Sequence, residues 1–371
     1  MEWGHHLNAL NAETGDARQF VLDYPTHLKI LSTALDVELV KEWRECNPTK
    51  LLVYREWFPD GTPGEDWWAR CNQLAKNAES LLLYGVIVET PWNEEMFADD
   101  LIPFYGNLTY KAVGWLATRG FNKLCIGNFP VQWPTRAGWQ RWLPVLEVLA
   151  RSELELYQGF HLYSAPTLFD NWVDNIGRVI ELVTVPQSTS PLPILATEYG
   201  IDHGVRGSDY ARLGWRGGHN RRGEDVPGLS ATEYALQLSV SAEMLRQCVD
   251  VAFTYCSGGV YGWQSFEMAM IPESERQVLG RLLTERYEVY GLQMGFLALA
   301  NAMRKLGIDP GEAIGPEVPH SFVDSFVATT QETTTGKFLW LKETNQSLFS
   351  GKNGRLTFYN GGDLFTTVKG V

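Results

Sequence analysis

At 371 residues the chain is long enough for one large domain with a smaller one attached. With 44% hydrophobic and 20% charged residues it has an ordinary globular composition, which excludes disorder over most of its length. A net charge of −13 leaves no basic face for phosphates and argues against a nucleic-acid partner.

No uncharged run approaches the roughly 18–20 residues that a membrane span needs. The opening Met1-Glu2-Trp3-Gly4-His5-His6 lacks the basic-then-apolar pattern of a secretion signal. The expectation is a protein without a membrane partner, retained in the cell that made it or stripped of a leader. Five cysteines (Cys46, Cys71, Cys125, Cys248, Cys256) are scattered without metal-type spacing and read as free thiols.

In chain order, apolar runs of strand character alternate with stretches of helical periodicity. Residues 4–10 are a weak first strand; 27–35 follow as the second, then 36–43 as a helix. The third strand covers 50–58, and helix 65–82 places Trp68, Cys71, Leu74, Ala75 and Ala78 on one face. Strand 83–90 is followed by helix 109–119, strand 123–129 by helix 138–151, and strand 157–163 by helix 168–183. In the last of these helices Trp172, Val173, Ile176, Val179 and Ile180 share a face. Strand 192–199, helix 230–248 and strand 249–255 complete the series. Eight strand–helix units over about 290 residues suit a (β/α)8 TIM barrel better than an open sheet. Beyond residue 300 the pattern changes. Pro310, Pro316 and Pro319 punctuate a loop, and strand-like pieces at 321–329, 337–342 and 355–359 are joined by Lys352-Asn353-Gly354 and Asn360-Gly361-Gly362, which is hairpin-turn chemistry. The predicted organisation is a barrel over 1–300 and a small antiparallel β appendage over 301–371.

Two apolar runs end on a glutamate: Val86-Ile87-Val88-Glu89-Thr90-Pro91-Trp92-Asn93-Glu94 and Leu192-Pro193-Ile194-Leu195-Ala196-Thr197-Glu198-Tyr199-Gly200. A carboxylate at a buried strand end is expensive to desolvate unless something there uses it. Glu94 and Glu198 lie 104 positions apart, three barrel units of roughly 31 residues or a little more. That spacing puts them at the ends of strands four and seven, as counting the runs does. Active sites of such barrels form at the C-terminal strand ends. There the third strand offers Arg55, Glu56 and Trp57, the fourth Trp92, Asn93, Glu94 and Glu95, and the sixth His161, Tyr163 and Ser164. The eighth leads through Tyr255 and two glycines to Tyr261, Trp263 and Gln264, and the first offers His5, His6 and Asn8.

The pattern resembles the retaining glycoside hydrolases of the (β/α)8 clan whose catalytic glutamates end strands four and seven. Trp92-Asn93-Glu94 is similar to that clan's Asn-Glu pair, with Glu95 where a proline often follows. Thr197-Glu198-Tyr199-Gly200 is similar to its nucleophile strand, His161 and Tyr163 to its sixth-strand positions, and Trp263 to the tryptophan closing the sugar site. The resemblance covers roughly residues 1–300. It implies Glu94 as acid/base, Glu198 as nucleophile kept ionised by Tyr163 or Arg55, and Asn93 on the sugar 2-hydroxyl. It further implies Trp263 beneath the sugar ring and Trp92, Tyr261, His161 and Arg55 as further contacts. The implied partner is a β-linked oligo- or polysaccharide, cleaved without cofactor or metal. Twelve per cent aromatic residues, with 14 tryptophans, suit that partner, although most single tryptophans read as core.

Blander readings stand beside these. Glu94 could be an N-terminal helix charge, Glu198 an ion-pair partner of an arginine, and the whole a carbohydrate-binding or structural protein on a degenerate barrel. A metal-dependent hydrolase would need clustered ligands, and His5, His6 and His161 are dispersed in sequence. Residues 202–229 form a long irregular segment with Arg206, Arg212, Arg216, Arg221, Arg222 and Trp215. They read as a solvated loop pairing with acidic surface, or as a lid over the cleft. Trp67, Trp133 and Trp139 read as core or rim before platform.

Overall fold

The computed structural model describes residues 1–10, 15–58, 66–94, 99–168, 173–184, 189–245, 248–259, 262–284, 311, 318–322, 325–334, 336–341, 346–351, 355–360 and 366–369. Eight parallel strands close into a barrel in sequential order. They are β1 (Glu2–Leu7), β2 (His27–Leu31), β3 (Leu52–Arg55), β4 (Ile87–Glu89), β5 (Lys123–Phe129), β6 (Glu155–Ser164), β7 (Ile194–Ile201) and β8 (Val251–Ser257), the last pairing back to β1. Each strand is followed by a helix: α1 (Gly15–Asp23), α2 (Val37–Cys46), α3 (Trp67–Ala78), α4 (Ile102–Thr118), α5 (Arg136–Leu149), α6 (Arg178–Thr184), α7 (Ala231–Leu245) and α8 (Glu273–Thr284). The (β/α)8 barrel expected from the alternation is therefore the observed fold.

The barrel interior is filled from its N-terminal end by Val53, Ile87, Cys125, Tyr157, Leu195, Val251 and Phe253. Side chains alternate along a strand, so two residues beyond Val53 and Ile87, on the same face, stand Arg55 and Glu89. Apolar filling thus gives way to charge toward the C-terminal end. Outside the barrel, α2 and α5 each bury one stripe. Asp36 caps α2 by accepting from the Glu38 and Leu39 amides, and Leu39, Val40 and Trp43 pack inward. Thr135 caps α5 in the same way through Gly138, and Trp139, Trp142, Leu146 and Leu149 are buried.

Local differences from the sequence reading have physical causes. The fourth strand begins at Ile87 instead of 83, because Glu79–Tyr84 continues helix α3 as a 3₁₀ turn. Gly85, at φ 66°, ends that turn with the left-handed residue a helix exit favours, and Leu83 is left 91% exposed. Cys71, Leu74, Ala75 and Ala78 are buried as the periodicity of α3 requires, whereas Trp68 is 57% exposed. It sits in the first helical turn, one turn short of where that face meets the core. Trp139 is fully buried and Trp133 nearly so, which makes both core. All five cysteines are free. Among the described residues no helix is long and apolar enough to cross a membrane.

The chain divides into two compact units, Met1–Thr232 with Ala242–Glu285, and Glu233–Ser241 with Arg286–Val371. The second contains a six-stranded antiparallel sheet in sequential order: β9 (Val318–Phe322), β10 (Ser325–Glu332), β11 (Gly336–Leu341), β12 (Gln346–Gly351), β13 (Arg355–Asn360) and β14 (Thr366–Lys369). The strand expected over 321–329 is divided between β9 and β10, and β12 and β14 were not among the expected strands. The expected boundary at residue 300 and turn residues 352–354 and 361–362 lie outside the described residues.

Candidate active site

Strand register shifts where the polar residues begin. The ladder slips between Ile126 and Phe129 on β5, between Phe160 and His161 on β6, between Ala252 and Thr254 on β8, and between His6 and Leu7 on β1. Such bulges re-aim side chains and are frequent beside active sites. Here the groups beyond them converge at the C-terminal mouth of the barrel, where His161 stands in register with Glu198.

Glu198, near the end of β7, has a side chain 8% exposed and is gripped from several strands. Arg55 Nη1, from β3, is hydrogen-bonded to Oε1, and Lys29 Nζ, from β2, stands 3.6 Å from the same oxygen. The Tyr163 hydroxyl, from β6, donates to Oε2 at 2.8 Å, and His161 Nδ1 lies 3.3 Å from Oε2. Burial alone would push this carboxyl up, but His161, Arg55 and Lys29 beside it more than reverse that. Glu198 is held well below the usual carboxylate range, and so is anionic. Burial and the Glu198 charge push the Tyr163 phenol well up, so it stays protonated and donating. His6, from β1, is 4.0 Å from Oε1 and edge-on to Tyr255; burial and the nearby Lys29 charge push it well down, toward the neutral form.

Glu94 follows β4 in a different setting. Its side chain is 39% exposed, and its Oε1 is 2.7 Å from His161 Nδ1. Its backbone is left-handed, φ 51°, a strained conformation for a residue with a β-carbon. The Glu94 amide donates to the Asn128 carbonyl at 3.3 Å, while the Asn128 side-chain oxygen accepts from Thr197 Oγ1 at 3.0 Å. Asn128, itself at φ 46°, thereby ties the Glu94 backbone to the residue preceding Glu198. One donor atom from each of Glu94, His161 and Glu198 lies within 4.8 Å of the other two.

That cluster has metal-like spacing, yet its charge does not suit a cation. Lys29 and Arg55 already neutralise Glu198, and a divalent ion there would face an ammonium and a guanidinium at contact distance.

The structure brings Glu94, Glu198, His161, Tyr163 and Arg55 together. Asn93 is half-buried, and its Oδ1 has no hydrogen-bond partner among the described residues. Trp263 is half-buried, edge-on to Tyr255 at 5.5 Å and beside Phe266. Trp92, read from sequence as a substrate contact, is 1% exposed and packed edge-on to Tyr105, which leaves its ring no face for a sugar. Tyr261 and Glu95 lie outside the described residues. His5 points away from the barrel interior to the Tyr24 carbonyl, 2.7 Å away, and to Phe20, as strand alternation with His6 dictates.

No protein-family profile matches the chain, and no curated protein does. Among solved structures it is similar to an endo-β1,6-glucanase at 11% identity, TM-score 0.46, over 99% of this chain and 87% of that one. It is similar also to a Thermomonospora fusca β-mannanase bound to mannohexaose, at 12% identity and TM-score 0.46, over 75% and 89% of the two chains. A glucosidase from Croceicoccus marinus matches at 10% identity, TM-score 0.46, over 98% and 80%. Likeness this distant assigns neither activity nor substrate.

Sequence reasoning missed Lys29, Asn128 and Asp202, and read Glu89 only as a structural partner for Arg55. Lys29 had a signal, a lone lysine within the apolar run His27-Leu28-Lys29-Ile30-Leu31. Asp202, just past β7, accepts from the Gly204 amide at 2.6 Å. Burial, with the charges of Glu94 and Glu198, pushes its carboxyl up to about 7. The arginine-bearing segment 202–229 is tied to residues 263–266. Gly214 N donates to Ser265 Oγ, Ser265 Oγ to the Arg212 carbonyl, Arg216 N to the Ser265 carbonyl, and Trp215 Nε1 to the Phe266 carbonyl. The Arg212 guanidinium lies over the Trp263 ring at 5.8 Å, and Arg222 pairs with Asp209 at 2.5 Å. Of the loop arginines, Arg222 thus pairs with an acid inside the loop itself, and Arg212 lies against Trp263.

Proposed function

We propose that this protein is a retaining glycoside hydrolase acting on a β-linked oligo- or polysaccharide, with Glu94 as acid/base and Glu198 as nucleophile. One observation carries the reading: oxygens of the two carboxyl groups lie within 4.8 Å at the mouth of the barrel. Retaining enzymes hold their carboxyl groups about 5–5.5 Å apart, whereas inverting ones leave roughly 6.5–9.5 Å for a water. The unlike settings of the two glutamates support the division of labour. Glu198, nearly enclosed by cationic donors, is a fixed anion; Glu94, at 39% exposure, can exchange protons with solvent. The β-linkage rests on the resemblance carried by Trp92-Asn93-Glu94 and Thr197-Glu198-Tyr199-Gly200.

In the first step Glu198 Oε2, on the side facing His161 and Glu94, attacks the anomeric carbon. The glycosidic bond breaks with its electron pair on the leaving oxygen, which takes the Glu94 proton. In the second, water attacks the same carbon and gives a proton to Glu94, while the ester bond returns its electron pair to Glu198. Asn93, with its unpartnered Oδ1, contacts a ring hydroxyl, and Trp263 offers an apolar surface to the sugar. In this reading Glu94 and Glu198 both belong to the barrel expected over residues 1–300.

The test is turnover of chromogenic β-glucosides and β-mannosides and of polymeric β-glucans and mannans, with NMR of the first anomer released. Glu198→Ala should lower kcat by roughly 10⁴-fold or more, and Glu94→Gln by about 10²–10⁴-fold with natural leaving groups. An inverted product, or turnover indifferent to both changes, overturns the proposal. Glycan binding without turnover in the native protein makes the barrel a binding module instead.

A further inference from the structure

Beneath the two glutamates lies a buried charge that the reaction above does not use. Lys29 is fully buried, and its Nζ stands 2.9 Å from Glu89 Oε1, 3.0 Å from the Thr197 carbonyl, to which it donates, and 3.6 Å from Glu198 Oε1. Strands β2 and β7 are not neighbours in the barrel, so this side chain crosses the interior to reach the residue before the nucleophile and the nucleophile itself. Glu89 is 1% exposed, and among the described residues neither of its oxygens has a hydrogen-bond partner apart from this ion-pair contact.

Fold stability does not account for such a pair. Desolvating an ammonium and a carboxylate is costly, and apolar residues of similar volume usually serve a core equally well or better. The interior layer directly below is apolar. What Lys29 adds there is charge, one contact away from Glu198.

We propose that the Lys29–Glu89 pair is a positioning device for Glu198: it anchors the β7 end through Thr197 and loads the Glu198 site with a positive charge that favours release of the covalent sugar ester. The inference rests on the retaining reading above. At rest, Glu198 and Glu89 balance Lys29 and Arg55. Once Glu198 is esterified its charge is gone, and two cations face one anion. When water attacks and the ester bond breaks, the electron pair returns to Glu198 and neutrality is restored. The second step therefore gains from Lys29 more than the first.

The decisive variant is Lys29→Met/Glu89→Gln, which removes both charges and preserves neutrality. Lys29→Met alone strands a buried carboxylate and is expected to fold poorly. Every other group facing Glu198 is retained: His6 on β1, Arg55 on β3, Glu94 after β4, His161 and Tyr163 on β6, Asp202 after β7, and Tyr255 and Cys256 on β8. The first readout is the ¹³C-carboxyl resonance of Glu198 followed against pH, assigned with Glu198→Gln. Its midpoint should rise by about one pH unit or more in the double variant. The second is pre-steady-state kinetics with an activated aryl β-glycoside. The double variant should show a burst of aglycone, a second step slowed at least about 10-fold, and kcat and KM falling together.

An unmoved carboxyl midpoint together with an unchanged second step overturns the proposal. If the native protein cleaves no β-glycoside, the hydrolase reading fails on that result, and the carboxyl titration still decides whether Lys29 acts on Glu198. If the double variant does not fold, Glu89→Gln alone, which keeps Lys29, must shift the Glu198 resonance at neutral pH; an unshifted resonance overturns the proposal.

Discussion

Tyr163 and Arg55 hold opposite oxygens of one carboxylate, and that division makes Glu198 directional. Oε1 faces Arg55, Lys29 and His6, while Oε2, held by the phenol, faces His161, whose Nδ1 also reaches Glu94. A hydrogen bond to a charged group is worth about 1.5–3 kcal/mol. Tyr163→Phe should therefore lower kcat/KM by roughly 10- to 100-fold with little change in melting temperature, as steady-state kinetics and a thermal melt would establish. A wild-type rate in this variant would remove the phenol from the mechanism. Arg55 and Tyr163 were legible in the sequence because both sit at the ends of apolar runs. Lys29 sits in the middle of one, where inward and outward positions alternate and only the closed barrel decides which is which. Trp92 shows the converse: two residues before Glu94, its ring turns into the packing of α4 against Tyr105.

At the scale of elements, the mouth of the barrel is shaped by two loops acting as one. Ser265 is their joint, accepting from Gly214 N and donating to the Arg212 carbonyl. Loss of its hydroxyl should loosen the 202–229 segment at Gly214 at a cost of about 1–2 kcal/mol, leaving the bonds from Arg216 N and Trp215 Nε1 in place. Ser265→Ala is expected to raise KM for long glycans more than kcat changes, and to speed hydrogen exchange at the Gly214 amide. Unchanged exchange there would mean the loop is held by other contacts. The arginines of this loop attracted notice as charge. Arg212 instead lies over Trp263, and Arg222 pairs within the loop. Composition does not reveal that, because it depends on which distant backbone carbonyls and rings come within reach. Strand β4 shows the same limit: its late start is set by a left-handed glycine, whereas the apolar run before it reads equally as strand or turn.

For the molecule as a whole, gathering carboxylates at one end of the barrel makes stability depend on pH. Asp202 is pushed up to about 7 by burial and by the charges of Glu94 and Glu198. In the unfolded chain the same group releases its proton near pH 4. Between those values the folded state holds a proton that the unfolded state lacks, so stability falls as pH rises from about 4 to about 7. Asp202→Asn keeps an oxygen for the Gly204 amide and cannot ionise. Denaturant titrations should find it more stable than the native protein by roughly 1–4 kcal/mol at pH 8, with the gain fading toward pH 4. A pH-independent difference would place the Asp202 charge elsewhere.

The sequence by itself determined the alternation of strand and helix, the count that made a closed parallel barrel, and the two glutamates three units apart. These follow from local periodicity and from the fixed length of a repeating unit, which a linear chain displays without folding. Only the tertiary structure decided that Lys29 and Glu89 form a pair beneath Glu198, that Asn128 ties the Glu94 backbone to Thr197, and that Trp92 is core. Each of these depends on contacts between strands distant in sequence, and on bulges that re-aim a side chain by a single residue.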